Sequence, residues 1–123
     1  MRTPHGLYPE YHTSADDLAF VRPEGLVDSF QKYLAVLQVL ESNRTYLNLN
    51  PKCEPQLGKR GLYRLMGGDR KTGFDQMSLL WVLNLSDGSH SLLDIAERSG
   101  YEFTIIKNAA NVLQENGLLR ESG

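Results

Sequence analysis

Between Pro23 and residue 41, apolar side chains fall at Leu26, Val27, Phe30, Leu34, Leu37 and Leu40. This spacing places them on one helical face and predicts an amphipathic helix over 23–41. Pro23 suits the first turn, where its missing N–H has no intrahelical partner to lose. Ahead of this helix, residues 1–21 show no sustained period, and Pro4, Gly6 and Pro9 mark loop. Behind it, 44–50 (Arg-Thr-Tyr-Leu-Asn-Leu-Asn) alternates weakly and halts at Pro51, as a short strand does. Residues 51–73 lose periodicity and carry two prolines and five glycines, which predicts loop. Within them, 61–66 fits either a strand or a helical turn.

From Phe74 the pattern changes in kind. Residues 74–85 are apolar enough for a buried helix, with Leu79, Leu80, Trp81, Val82 and Leu83 in succession. Asp87-Gly88 is a turn signal. Ser91-Leu92-Leu93-Asp94 resembles a capping box, with Asp in place of the usual Glu or Gln. It opens a short helix that ends at Gly100. A third helix follows over 103–116, with Ile106, Ala109, Ala110 and Leu113 on one face and Gly117 as its stop. Leu118-Leu119-Arg120 can start a strand. Helix, turn, short helix, tight turn, longer helix and strand is the order of a winged helix-turn-helix. The expected fold class is α+β, mostly helical. The expected domains are 1–73 and a winged helix-turn-helix over 74–123.

Composition changes this picture little. With 41% apolar and 23% charged residues and a formal net charge of −2, the chain has an ordinary globular balance. No apolar run approaches the roughly 20 residues of a membrane span. A lone Cys53 excludes an internal disulfide framework, lacks the context of a nucleophile and reads as a structural thiol. Cytoplasmic residence is the expectation. The distribution of charge is more telling. Residues 52–71 hold six basic residues against two acidic ones, whereas 74–123 hold three basic against seven acidic.

Pro9-Glu10-Tyr11-His12-Thr13-Ser14-Ala15-Asp16-Asp17 sets a histidine among carboxylates. A metal-binding histidine needs such a neighbour to fix its ring and tautomer. His12-Thr13-x-x-Asp16 resembles the motif with which bacterial leucyl aminopeptidases and their relatives close a zinc site. The longer string resembles a narrower group, bacterial aminopeptidase-like proteins with a C-terminal winged helix. Glu54–Tyr63, Leu80–Gly88 and Leu92–Glu97 match that group as well. One departure is Lys52-Cys53 before Glu54, where the resemblance leads us to expect a glycine beside the glutamate. That departure bears on the turn there.

The resemblance implies that 1–73 is the remnant of a peptidase domain and that His12 is the last ligand of a zinc centre. The remaining ligands would lie in a larger catalytic portion. Met1-Arg2-Thr3-Pro4 reads as the interior of a longer protein, which implies a truncated gene product or a fragment, and with the other ligands missing the chain is expected to be inactive alone. Asp16 is then either a carboxylate behind the ligand or a helix cap. His5 and Glu10 read as solvated loop residues. Lys59, Arg60 and Tyr63, with Gln56, suit a substrate-side loop for an anionic group. They suit better a solvated basic loop, or one that pairs with the acidic C-terminal segment.

On the third helix, Lys107, Asn108 and Asn111 are the candidate base readers. DNA affinity comes largely from Lys and Arg on phosphates, and Glu102 with the acidic segment opposes it. The winged helix is therefore expected to contact protein rather than DNA. A peptidase remnant is expected to expose apolar surface, and so to meet the missing catalytic portion or to self-associate. No membrane partner is expected.

Overall fold

The computed structural model of the chain describes residues 3–4, 6–62 and 73–122. Its elements run α1 (Pro23–Ser42), β1 (Thr45–Asn48), α2 (Gln76–Leu85), β2 (Asp87–Ser91), α3 (Leu92–Ser99), α4 (Phe103–Glu115) and β3 (Leu119–Glu121). This is the expected mixture of helices and a small sheet. The chain divides into two compact units, Met1–Glu41 and Ser42–Gly123.

The first unit is a string of tight turns followed by α1. Amide-to-carbonyl bonds such as Leu7 to Pro4, Tyr11 to Tyr8 and Asp16 to Thr13 close successive turns. Asp17 ends this run, its Oδ1 accepting from the amides of Ala19 and Phe20 at 2.8 and 3.2 Å. Helix α1 forms where the 3.6-residue spacing predicts it, yet it buries none of its residues. Leu26, Phe30, Tyr33, Leu37 and Leu40 all remain more than half exposed. They recur every three or four residues, so they form one continuous apolar stripe.

The second unit is built on a three-stranded antiparallel sheet in the order β2-β1-β3. The middle strand β1 comes from ahead of all three following helices. It pairs Tyr46 with Glu121 and Asn48 with Leu119 on one side, and Thr45 with Ser91 on the other. The core lies between this sheet and helices α2, α3 and α4. Leu79, Val82, Leu92, Ile95, Ile106, Leu113 and Leu118 are all buried there. Two of these helices begin at capping boxes and two end at glycines. Asp75 and Ser78 form a capping box on α2, and Ser91 and Asp94 form one on α3. Gly100 ends α3 in the left-handed conformation, and Gly117 follows α4 at φ 66°.

One sequence expectation is corrected here and a second is made more specific. The boundary falls at Glu41/Ser42 and not after residue 73. The reason is β1: it is the centre of the sheet, and Tyr46, Leu57 and Leu62 are in the same core as the helices. The loop ahead of Phe74 is therefore integral to the second unit up to Leu62. The second concerns Asp87-Gly88, which opens β2 while the Asp87 carboxylate closes a local turn by accepting from the amides of Ser89 and His90. Gly88 sits at φ 85°, and a Cβ there would lie 2.9 Å from Leu47 Cδ2, where the β1–β2 register slips. Glycine answers a close strand approach at this point.

Candidate functional site

His12 lies in the turn region of the first unit, exposed and in the left-handed conformation at φ 59°. A non-glycine residue in that conformation is uncommon and costs about 1–2 kcal/mol. Thr13 shapes the turn around it. Its hydroxyl donates to the Glu10 carbonyl at 2.8 Å and accepts from the Ala15 amide at 3.2 Å. The His12 ring packs against Tyr11, with centroids 4.1 Å apart. Tyr11 and Phe20 in turn sit against Tyr8, each 5.5 Å away.

Asp16 makes no hydrogen bond to His12 among the described residues. Its charge acts on Tyr8, whose hydroxyl is held above its ordinary pKa by its own desolvation and by Asp16. The capping in this region falls to Asp17 instead. An open cleft of about 790 Å3 adjoins the aromatic group, lined by Tyr8, Phe20, Val21, Arg22, Glu24 and Leu26 among others.

No three His, Cys, Asp or Glu side chains converge on a metal-sized point among the described residues. Zinc takes about three protein ligands in a catalytic site and four in a structural one. The described residues therefore do not fit a zinc centre by themselves.

Lys59 and Arg60 of the basic loop are both exposed. Arg60 donates through Nε to the Pro55 carbonyl at 3.1 Å and through Nη1 to the Asn116 carbonyl at 3.2 Å. Its guanidinium thus serves the C-terminal end of α4, where cations and donors satisfy free carbonyls. Neither Lys52, Lys59 nor Arg60 forms an ion pair with an acid of the C-terminal segment among the described residues. Tyr63, like Arg64, Arg70, Lys71 and His5, lies outside the described residues. The loop is instead pinned by Glu54, whose carboxylate accepts from the amides of Gln56 and Leu57 at 3.0 and 2.6 Å. Cys53, where a glycine was expected, sits at φ 67°. A cleft of about 360 Å3 between this loop and α2 is lined by Asn48, Cys53, Glu54, Leu80 and Asn84 among others, without Lys59 or Arg60.

On α4 the three candidate base readers part company. Lys107 Nζ donates to Ser42 Oγ at 2.8 Å. Asn108 donates to the Gly73 carbonyl at 3.3 Å. Asn111 is exposed, along a face shared with Thr104 and Glu115. Lys107 is the single cation of α4.

The sequence did not point to a further cluster at the start of the second unit. Asn43 Oδ1 accepts from the Leu93 amide at 2.9 Å, and the Arg44 carbonyl accepts from the Leu92 amide at 2.9 Å. Arg44 Nε pairs with Glu121 Oε1 at 3.0 Å. These partners lie about fifty or more residues away, so no local motif announces them.

A helix-turn-helix of α3 and α4, backed by α2 and a three-stranded sheet, defines the class of the second unit. Residues 44–121 match the winged helix-turn-helix family, and the chain belongs to it. Residues 1–43 match a domain of unknown function. Over 120 residues the chain is 56% identical to a Clostridium acetobutylicum protein named for polysaccharide biosynthesis and an aminopeptidase-like domain. That match covers 98% of this chain and 27% of the relative. A crystal structure of a Clostridium acetobutylicum protein named as a peptidase superposes with a TM-score of 0.79 at 52% identity. It covers 93% of this chain and 24% of that one. The chain thus spans about a quarter of the length of these relatives.

Proposed function

We propose that this chain acts as the C-terminal part of an aminopeptidase-like, zinc-dependent hydrolase, with the winged helix as a protein-contacting module. The observation that carries this reading is the match of 98% of the chain to one quarter of a relative named for an aminopeptidase-like domain. In this reading His12 supplies one donor to a centre whose other ligands belong to the larger catalytic body. Two features support it. The left-handed backbone at His12 is the kind of strain that proteins retain at functional positions. The apolar stripe of α1 and the neighbouring cleft offer a surface for the rest of such a body to cover. The same reading places the protein in the cytoplasm. Among the described residues no helix is long and apolar enough to cross a membrane.

Two measurements test it. The 123-residue chain alone is expected to hold well under one zinc ion per chain in competition with a chelating dye, and to leave aminoacyl anilides intact. His12→Ala, made in a protein of the relatives' full length, is expected to lower zinc content and hydrolysis together. Hydrolysis by the pure short chain, abolished by His12→Ala, would overturn the reading of His12 as a partial site. Unchanged zinc and activity in the long His12→Ala variant would remove His12 from the centre.

A further inference from the structure

Helix-turn-helix proteins meet the DNA backbone with two kinds of group: amide N–H groups at helix N-termini and cations on or beside the recognition helix. In this molecule the first two amides of α3 and the single cation of α4 already have partners, and those partners come from one short segment of the same chain. Ser42, Asn43 and Arg44 open the second unit immediately ahead of β1.

At the N-terminus of α3 the first amides would otherwise lack intrahelical acceptors. Leu92 donates to the Arg44 carbonyl at 2.9 Å, Leu93 donates to Asn43 Oδ1 at 2.9 Å, and Asp94 donates to its cap Ser91 at 3.3 Å. Two of the three acceptors thus belong to the 42–44 segment. Lys107, the single cation on α4, donates to Ser42 at 2.8 Å. Arg44 reaches the far edge of the sheet at Glu121. Helix α3 thus holds Asn43 and Arg44, α4 holds Ser42, and β3 holds Arg44. The remaining exposed face of α4 offers Thr104, Asn111 and Glu115. It has no cation left to neutralise a phosphate.

We propose that the phosphate-facing surface of this helix-turn-helix is a receptor for its own 42–44 segment, which Asn43 and Lys107 seat in place of nucleic acid. Asn43 acts as a long-range cap on α3, and Lys107 is a positioning residue for Ser42. This inference rests on the winged helix itself and is independent of the hydrolase reading.

Amide hydrogen exchange in the full chain, read residue by residue, tests it. Asn43→Ala removes the acceptor and is expected to speed exchange at Leu93 by roughly twofold to tenfold, the effect of one hydrogen bond. Amides of Ile106 and Leu113 in α4 should keep their wild-type rates, which separates a local release from unfolding. Asn43→Asp keeps an acceptor at the helix N-terminus and is expected to restore slow exchange. A random-sequence DNA duplex at low salt is expected to show no retardation with wild-type protein. Unaltered exchange at Leu93 in Asn43→Ala would overturn the seating. So would duplex binding by wild type that Lys107→Ala weakens.

Discussion

Cys53 carries a cost that a glycine would not. Its φ of 67° places a side chain in the left-handed region, beside a glutamate that caps the turn. That conformation costs about 1–2 kcal/mol for an L-residue. Glycine removes the cost but adds roughly 0.5–1 kcal/mol of chain entropy. Cys53→Gly is therefore expected to raise stability by up to about 1 kcal/mol in urea unfolding. Cys53→Val, β-branched, should lower it by more than about 1 kcal/mol.

Three carboxylates of the second unit are held below their ordinary pKa. Asp87 is held well below the usual carboxylate range by the amide and hydroxyl of Ser89, with help from His90. Asp94 is lowered first by the Ser91 hydroxyl and then by the Ser91 amide. At Asp75 burial pushes upward, but bonds from Ser78, Tyr101 and Met77 outweigh it and the net shift is downward. A depressed folded pKa gives stability that is present above the unfolded value, about 3.9, and lost as pH falls through the folded one. Thermal midpoints should hold from neutral pH to about pH 5 and fall progressively below that. Asp94→Asn and Asp87→Asn together should flatten the fall. A midpoint that drops equally in this double variant would reject these groups as its source. The caps at Ser91 and Asp94 were legible in the sequence, because a capping box is a local pattern. The hydroxyl of Tyr101 donating to Asp75 at 2.9 Å was not, because it joins positions 26 apart.

At the scale of elements, helices α2 to α4 could be read from spacing, caps and stop glycines. The role of β1 could not. Its weak alternation announces a strand, but nothing in 44–50 says that it will lie between β2 and β3. Strand pairing over more than forty residues is set by the shared core, and so the sequence boundary fell too late. The same holds for Leu57 and Leu62, which look like loop residues and prove fully buried. The consequence is testable by dissection. A protein of residues 42–123 is expected to unfold in one cooperative transition. One of residues 74–123 lacks the middle strand and three core side chains, and should show helical signal without a cooperative transition. In the full chain, Leu57→Ala should cost about 2–5 kcal/mol, the range for removing a buried leucine side chain. A loss under about 0.5 kcal/mol would mean that the 54–62 turn is a surface loop after all.

For the whole molecule, the stripe on α1 decides behaviour in solution. The sequence predicted the helix and its apolar face, and the structure leaves that face open: Leu26 is 62% exposed, Phe30 67% and Leu40 63%. Each such side chain gains about 1.5–3 kcal/mol when fully buried. A stripe of five, spaced over four turns, is therefore a strong drive toward association with whatever surface is present. In the 123-residue protein alone that surface is another copy, so light scattering should report association that grows with concentration. Phe30→Ser with Leu37→Ser should return the protein to a monomer. Because α1 buries none of its own residues, this double variant should leave the unfolding midpoint of the second unit unchanged. Salt separates this drive from the charge asymmetry between 52–71 and the C-terminal segment. Exposed charge pairs weaken as salt rises, whereas apolar association does not. Association that persists at high salt and vanishes in the double variant assigns it to α1. Association that salt alone dissolves would assign it to charge, and a wild-type monomer at all concentrations would show that the stripe is not a contact surface.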